Sequence, residues 1–101
     1  MADQSCAYPG VYFVRWGKHI KIGCADNVCR RLHMLKGTIP EGELEPLGWI
    51  RVVYGPEKQL PRYREHEIHE TLAAFRGRGE WFRDCKDVRC FIARYADPWP
   101  E

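Results

Sequence analysis

Long apolar stretches are missing from this sequence of 101 residues. No run approaches the ~18 apolar residues that a membrane-spanning helix needs, and the polar first segment, Met1–Tyr8, is unlike a signal peptide. We therefore expect a cytoplasmic protein with no membrane contact. Internal repeats and low-complexity segments are also missing, while 45% of the residues are apolar, which excludes intrinsic disorder.

The sequence also lacks a linker that would divide it, and its length suits one domain, since domains of about 100–150 residues are the commonest. We expect a single domain over residues 1–101, with its core at about residues 10–95 and flanking tails at 1–8 and 97–101. The second tail contains two prolines and is expected to lie on the surface.

A large excess of charge is absent too, because 16 basic residues face 14 acidic ones, a formal net charge of +2. That total alone does not argue for binding to nucleic acid. The charges are segregated, however: residues 15–36 hold six basic side chains and one acidic one, and Glu41, Glu43 and Glu45 follow. The basic stretch predicts a surface on which a phosphate backbone can lie.

The cysteine count is odd, and without a secretory signal it excludes a disulfide framework. The five are Cys6, Cys24, Cys29, Cys85 and Cys90. Cys24 and Cys29 have a C-x4-C spacing, and His33 follows one helical turn later. Zinc sites favour C-x2–4-C loops, so packing as small apolar side chains is the simpler interpretation. A zinc- or thiol-dependent interaction protein built on these three residues stays an alternative.

Two short apolar runs, Val11–Trp16 and His19–Gly23, flank Gly17-Lys18 and predict a tight β-hairpin. A third strand is predicted over Leu47–Tyr54, after a loop at Thr38–Pro46. Gly77 and Gly79 are expected in a turn before Glu80-Trp81-Phe82.

Three helices complete the prediction. The first is capped by Asp26 and ends at Gly37, and the second, with Pro61 in its first turn, runs to about Phe75. The third begins around Asp84 and Asp87. The resulting order predicts an α+β fold with a three-stranded, mainly antiparallel sheet flanked by about three helices.

Two charged residues interrupt the apolar stripes of these helices. Arg31 lies between Val28 and Leu35 on the first, and Glu65 lies one and two turns before Ile68 and Leu72 on the second. Burying a charge is costly unless it is paired, bound to a metal or open to a cleft. Periodicity alone leaves two interpretations open, a partly exposed helix edge or a functional site.

The order of several motifs favours the second interpretation. Gly10-Val11-Tyr12 and Lys21-Ile22-Gly23, about ten residues apart across the hairpin, resemble the paired motifs that name the GIY-YIG endonuclease superfamily. Arg31 follows Gly23 by eight residues, where that family places its helix arginine. The later residues resemble a phage and bacterial branch with a KIG second motif: Glu65, His69, Leu72, Arg76 and Gly79-Glu80-Trp81-Phe82.

The resemblance implies the role of each catalytic residue. Tyr12 would act as, or relay to, the general base for the attacking water, and Arg31 would stabilise charge on the phosphate. Glu65 would hold a single Mg²⁺ or Mn²⁺ ion. Lys21 replaces the second-motif tyrosine and would bind phosphate or lower the pKa of Tyr12, and Leu35 replaces a polar residue common in the family.

Further residues would support this site. Those expected to bind substrate or support the catalytic group are Lys18, Arg30, His69 and Arg76. Those expected to be structural are Gly10, Gly23, Gly79, Trp81 and Phe82. For His69, a satisfied and partly buried histidine is an equally good interpretation. For Arg76 a solvated surface position is the simpler interpretation, and for Lys21 a lysine on the strand surface is the alternative.

The function implied is a divalent-metal-dependent endonuclease that hydrolyses phosphodiester bonds in duplex or branched DNA. The same resemblance implies a phage- or bacterium-encoded protein. Because no separate recognition module is visible, sequence preference would come from a homodimer or a protein partner. A non-catalytic nucleic-acid-binding module that uses the same cleft is the other alternative.

Overall fold

A computed structural model of the chain describes residues 8–38, 43–53 and 60–99. The elements in chain order are β1 (Gly10–Trp16), β2 (His19–Ala25), α1 (Val28–Thr38), β3 (Leu44–Arg51), α2 (Pro61–Thr71), β4 (Trp81–Arg83) and α3 (Lys86–Tyr95). The strands pair antiparallel in the order β3-β1-β2-β4. The small α+β fold is confirmed, with four strands in the described residues instead of the three predicted.

The predicted hairpin of β1 and β2 is confirmed and forms the centre of the sheet. Gly17 has φ of +62° in the two-residue turn, a conformation that a residue with a Cβ rarely adopts. The turn sets the register, in which Tyr12 faces Gly23 and Val14 faces Lys21. Each of these cross-strand pairs places both residues on the same side of the sheet.

The fourth strand was not predicted, because Glu80-Trp81-Phe82 was described only as the segment that follows a turn. β4 has only three residues, which is too short for any alternation to be visible in the sequence. It forms because Trp81 and Phe82 pair with Lys21 and Ile20 of β2, far away in the chain. The predicted third strand begins three residues earlier than expected, since Leu44 pairs with Trp16, and it ends at Arg51.

The boundaries of α1 and α3 also differ from the prediction. Asn27, not Asp26, caps α1, because its Oδ1 accepts a hydrogen bond from the backbone N–H of Arg30 at 2.9 Å. Asp84 lies before α3, whose N-cap is Cys85. The Asp84 carboxylate instead accepts hydrogen bonds from Arg89 at 2.7 and 2.9 Å, so it holds α3 from outside the helix.

Helix α2 begins with Pro61 in its first turn, as predicted, but it ends at Thr71. The segment Ala73–Phe75, expected to continue it, is a single turn of 3-10 helix. Leu72, between the two, is buried in the core. The apolar spacing therefore continues through a change of helix type that the sequence does not mark.

The sheet separates two apolar cores. We call the side that packs against α2 and α3 the two-helix face; its buried residues include Val11, Phe13, Ile20, Ile22, Ile68, Phe82 and Val88. We call the side that packs against α1 the one-helix face; its buried residues are Tyr12, Val14, Ala25, Val28 and Trp49. Alternation along β1 and β2 sends neighbouring residues to opposite cores.

The described part of the second tail, residues 97–99, contacts the sheet, while Asp97 and Pro98 are exposed as expected. The backbone of Asp97 exchanges two hydrogen bonds with Trp49 of β3, at 2.9 and 3.0 Å. Trp99 then packs against the core of the one-helix face. Among the described residues, no helix is long and apolar enough to span a membrane.

Candidate functional site

The edge of β2 is only partly covered. Strand β4 pairs with His19–Lys21 and no farther, so Gly23–Ala25 extend beyond it. A cavity of about 320 Å³ opens at this point, between the first turns of α1 and α2. We call it the cleft; its walls include Cys24, Arg31 and Pro61. Residues from both faces of the sheet can meet here because no neighbouring strand intervenes.

Tyr12 lies on the one-helix face beside the cleft, with 1% of its surface exposed. Its ring lies over Gly23, where a Cβ would be 2.4 Å from the phenolic oxygen. Only glycine leaves room for the ring at this position. Among the residues that the structure describes, the Tyr12 hydroxyl has no hydrogen-bond partner, and a buried donor without one costs about 1–3 kcal/mol.

The electrostatic surroundings keep Tyr12 protonated. Burial, supported by the negative charge of Glu80, raises the pKa of Tyr12 from 10.0 to about 12, although the Arg31 guanidinium beside it acts in the opposite direction. With a pKa about five units above neutral pH, roughly one molecule in 10⁵ would carry the phenolate at pH 7. In this state the hydroxyl is a donor, and abstraction of a proton would need additional positive charge nearby.

Glu65 approaches the cleft from the opposite face, on the first turns of α2. Its side chain is 15% exposed, and its Oε2 is buried with no partner among the described residues. Cys24, in the wall of the cleft, connects Glu65 to the cleft through a hydrogen bond. Burial, and secondly this hydrogen bond, raise the pKa of the Cys24 thiol to about 12. The thiol therefore stays protonated and donates to the carboxylate.

His69, one turn after Glu65, is 5% exposed and holds α2 on the sheet. Its Nε2 lies 2.8 Å from the carbonyl oxygen of Ile22. A carbonyl can only accept, so Nε2 carries the proton and donates it. The Glu65 Oε1 is 3.8 Å from the same nitrogen, and the ring packs against Phe82. This geometry suits the orientation of Glu65 and leaves no surface for phosphate.

Lys21 shares the one-helix face with Tyr12 but is directed elsewhere. Its Nζ is 3.6 Å from Glu80 Oε2 and 5.8 Å from the centre of the Trp81 ring. The cation that acts on the Tyr12 phenol is Arg31. The positive charge of the basic stretch is partly neutralised in the same way, since Arg15 forms an ion pair with Glu45 of β3.

The other sequence candidates lie around this group. Lys18 is exposed in the hairpin turn, and Arg30 is exposed on α1. Arg76 donates from Nε to the carbonyl oxygen of Gly79 at 2.8 Å, which closes the turn before β4. Gly79 in that turn has φ of +57°. At Gly10, a Cβ would lie 2.4 Å from the carbonyl oxygen of Ile50, so β1 and β3 approach closely there.

Two members of the site were missed by the sequence interpretation. Cys24 was considered only with Cys29 and His33, yet β2 alternation places it on the two-helix face, toward Glu65. Glu80 was considered only as part of a structural motif. In the described residues no three histidine, cysteine or acidic side chains are grouped as a metal site, so the zinc alternative lacks an assembled set of ligands.

Comparison with known proteins gives one match. The model of the T5orf172 domain family matches residues 7–95. No curated protein and no solved structure matches the chain. Assignment to the GIY-YIG endonuclease superfamily was therefore wrong, because the T5orf172 domain is a different family of structurally related, nuclease-like domains.

Proposed function

The chain belongs to the T5orf172 domain family, and we propose that it is a divalent-metal-dependent nuclease that hydrolyses phosphodiester bonds of DNA at the cleft. The family is associated with nuclease-like and DNA-binding function.

One observation carries it. Buried polar atoms without a hydrogen-bond partner are rare in folded proteins, and the described residues contain three, Tyr12 Oη, Glu65 Oε2 and Trp99 Nε1. Two of the three belong to residues that interact with walls of the cleft, Tyr12 with Arg31 and Glu65 with Cys24. Their cost to stability is explained if substrate and metal complete their bonds.

The donor set fits Mg²⁺ or Mn²⁺ better than a structural metal. Mg²⁺ binds proteins through one or two carboxylates and keeps several waters, which substrate phosphates can replace. Glu65 supplies one carboxylate with an unused oxygen, and the described residues offer no cage of three ligands. When bound, such an ion would polarise the phosphate and neutralise the leaving oxygen.

The protein groups then have separate tasks. Glu65 would hold the ion, and Cys24 orients its carboxylate by a hydrogen bond. His69 is fixed by its hydrogen bond to Ile22, and its Nε2 lies 3.8 Å from Glu65 Oε1, where it supports the carboxylate. Arg31 binds the non-bridging oxygens of the phosphate, for which a planar guanidinium is suited. Tyr12 relays the proton of the attacking water, accepting it on its oxygen while its own hydroxyl proton passes to solvent. Lys21 would bind the neighbouring phosphate after leaving its ion pair with Glu80.

The raised pKa of Tyr12 also favours a second candidate. A phenol with a pKa of about 12 is a weak base at neutral pH, which suits a module that binds nucleic acid without cutting it. Binding that weakens with salt, but with no cleavage in Mg²⁺ or Mn²⁺, would identify this alternative.

Plasmid nicking in Mg²⁺ and in Mn²⁺ tests the proposal. Glu65→Gln keeps the size of the side chain and removes its charge, so we expect nicking to fall by about 100-fold or more. The matched control is Glu70→Gln, an exposed glutamate on the same helix, which should nick like the native protein. Equal nicking by Glu65→Gln and the native protein would eliminate Glu65 as the metal ligand.

A further inference from the structure

A second cavity lies at the other end of β2. Its volume is about 430 Å³, within the ~300–1,000 Å³ of small-ligand sites. Its walls are formed by Trp16, His19, Gly77, Arg78 and Trp81, and we call it the tryptophan groove. None of these residues has a part in the chemistry described above.

The tryptophan groove and the Tyr12 side of the cleft share the one-helix face. Trp16 is four residues after Tyr12 on β1, and His19 is four residues before Gly23 on β2. Side chains an even number of residues apart on a strand point to the same side. At about 3.3 Å per residue the two sites are roughly 13 Å apart along the strands. A single ligand can therefore reach both.

The two tryptophan rings are held in place before any ligand arrives. Their centres are 5.9 Å apart with planes inclined at 51°, and Trp16 Nε1 donates to Glu43 Oε2 at 3.1 Å. A flat ligand cannot enter between them, because stacking on both sides needs about 7 Å, twice the ~3.5 Å of an atomic contact. Trp16 is nevertheless 41% exposed and forms a wall of the groove, so part of its ring surface is open for a base to stack on.

Positive charge surrounds this aromatic surface. Arg78 forms part of the wall, and Lys18 and Arg83 are exposed close by, since Arg83 pairs with His19. The nearby acidic groups are engaged, with Glu43 bound by Trp16 and Glu80 by Lys21. A rigid aromatic surface bordered by cations is the arrangement that binds single-stranded nucleic acid, where bases stack and phosphates meet basic side chains.

We propose that the tryptophan groove binds an unpaired nucleobase of the strand whose backbone passes through the cleft. This inference rests on the proposed function, and it narrows the substrate to nucleic acid with a single-stranded segment. Bases inside an intact duplex are stacked on one another, so reaching the groove would first require their unstacking.

Binding without metal separates this proposal from cleavage. The probes are a fluorescein-labelled oligothymidylate and a blunt duplex of the same length, both in EDTA. Stacking contributes about 1–3 kcal/mol per base, so Trp16→Ala should weaken binding of the single strand about tenfold and of the duplex less than twofold. Trp16→Phe keeps an aromatic face and should remain within about threefold of the native protein.

The control variant is Tyr95→Ala, an aromatic of similar exposure on α3, which should bind both probes like the native protein. If Trp16→Ala does not fold, native protein with an abasic strand replaces it, and about tenfold weaker binding than to oligothymidylate is expected. Equal loss on both probes, or none on the single strand, would overturn the proposal. Native protein that binds neither probe would overturn the proposed function as well.

Discussion

The two faces of the sheet use the same strands for different purposes. On the two-helix face, side chains from β1, β2 and β4 form a sealed apolar core with α2 and α3. On the one-helix face, the smaller core includes a buried phenol with no hydrogen-bond partner among the described residues. It borders a cleft and a tryptophan pair in which Trp16 is exposed and Trp81 is partly buried.

The difference shows how a small domain can keep stability and reactivity apart. Because neighbouring strand residues point to opposite sides, Val11 and Phe13 support the fold while Tyr12, between them, lies on the one-helix face and interacts with Arg31 of the cleft wall. Glu65 is the exception, since it lies on a helix of the two-helix face and meets the cleft wall through Cys24. The candidate site therefore combines residues from both faces of the sheet, which come together at the edge of β2.

The largest expected effect comes from damage to the two-helix face. Phe82 is fully buried there, and Phe82→Ala should lower the free energy of unfolding by about 3–5 kcal/mol through lost contacts and a cavity. Urea denaturation measures this loss, with exposed Tyr63→Ala as the control, expected within about 0.5 kcal/mol of the native protein. A loss below about 1 kcal/mol for Phe82→Ala would mean that the stabilising role is misassigned.

The converse test is Tyr12→Phe on the one-helix face. This variant removes one oxygen that has no hydrogen-bond partner, so stability should stay within about 1 kcal/mol or rise slightly. Nicking should nevertheless fall about 100-fold, the lower limit for loss of a proton-transferring group. A variant that cuts DNA at the native rate would remove Tyr12 from the site.

Alkaline unfolding checks the same residue without any substrate. The pKa of Tyr12 is about 12 in the folded chain and 10.0 ordinarily, so the unfolded chain loses this proton first. The contribution of Tyr12 to stability is complete below pH 10 and declines as pH rises toward 12. Tyr12→Phe should show a shallower fall in unfolding free energy over that range, and an unchanged slope would contradict the burial of the phenol.

The smallest effect is expected from the surface ion pair that joins β4 to α3. Arg89 holds the pKa of the Asp84 carboxyl below its ordinary 3.8, so the stabilisation is present above that pH and lost as pH falls through the folded-state value. Asp84→Asn should cost less than about 1 kcal/mol at neutral pH and leave nicking unchanged. Thermal unfolding at pH 7 and at a series of pH values below 3.8 measures this, and the difference in stability between the two proteins should shrink as the pH falls through that range.

What could be predicted from the sequence depended on local patterns. The hairpin around Gly17 and the first turn at Pro61 are defined by neighbouring residues, and both are present. Strand β4 and the return of Asp97 to Trp49 depend on pairing between distant segments, and neither could be recognised. Asn27 and Asp26 are both good caps, so the sequence could not decide between them.

In the candidate site, too, some features could be predicted from local sequence patterns and others could not. Tyr12, Arg31 and Glu65 were selected because motifs and interrupted apolar stripes identify them, and the structure brings them to one edge of β2. The contacts of Cys24 and Glu80 arise only from the sheet, because they connect β2 with α2 and with the turn before β4. The sequence was thus sufficient to select the candidate residues, while the partners that determine each pKa could be identified only in the three-dimensional structure.

The bridge between Asp97 and Trp49 has a consequence for biosynthesis. The two residues are 48 positions apart, as 97 minus 49 gives, and Trp99 completes the core of the one-helix face. A ribosome that adds roughly 5–20 residues per second would finish the hairpin several seconds before it releases this segment. We expect both cores to be completed late in synthesis, because α3 supplies Val88 and Ile92 to the two-helix face and the adjoining segment supplies Trp99 to the one-helix face.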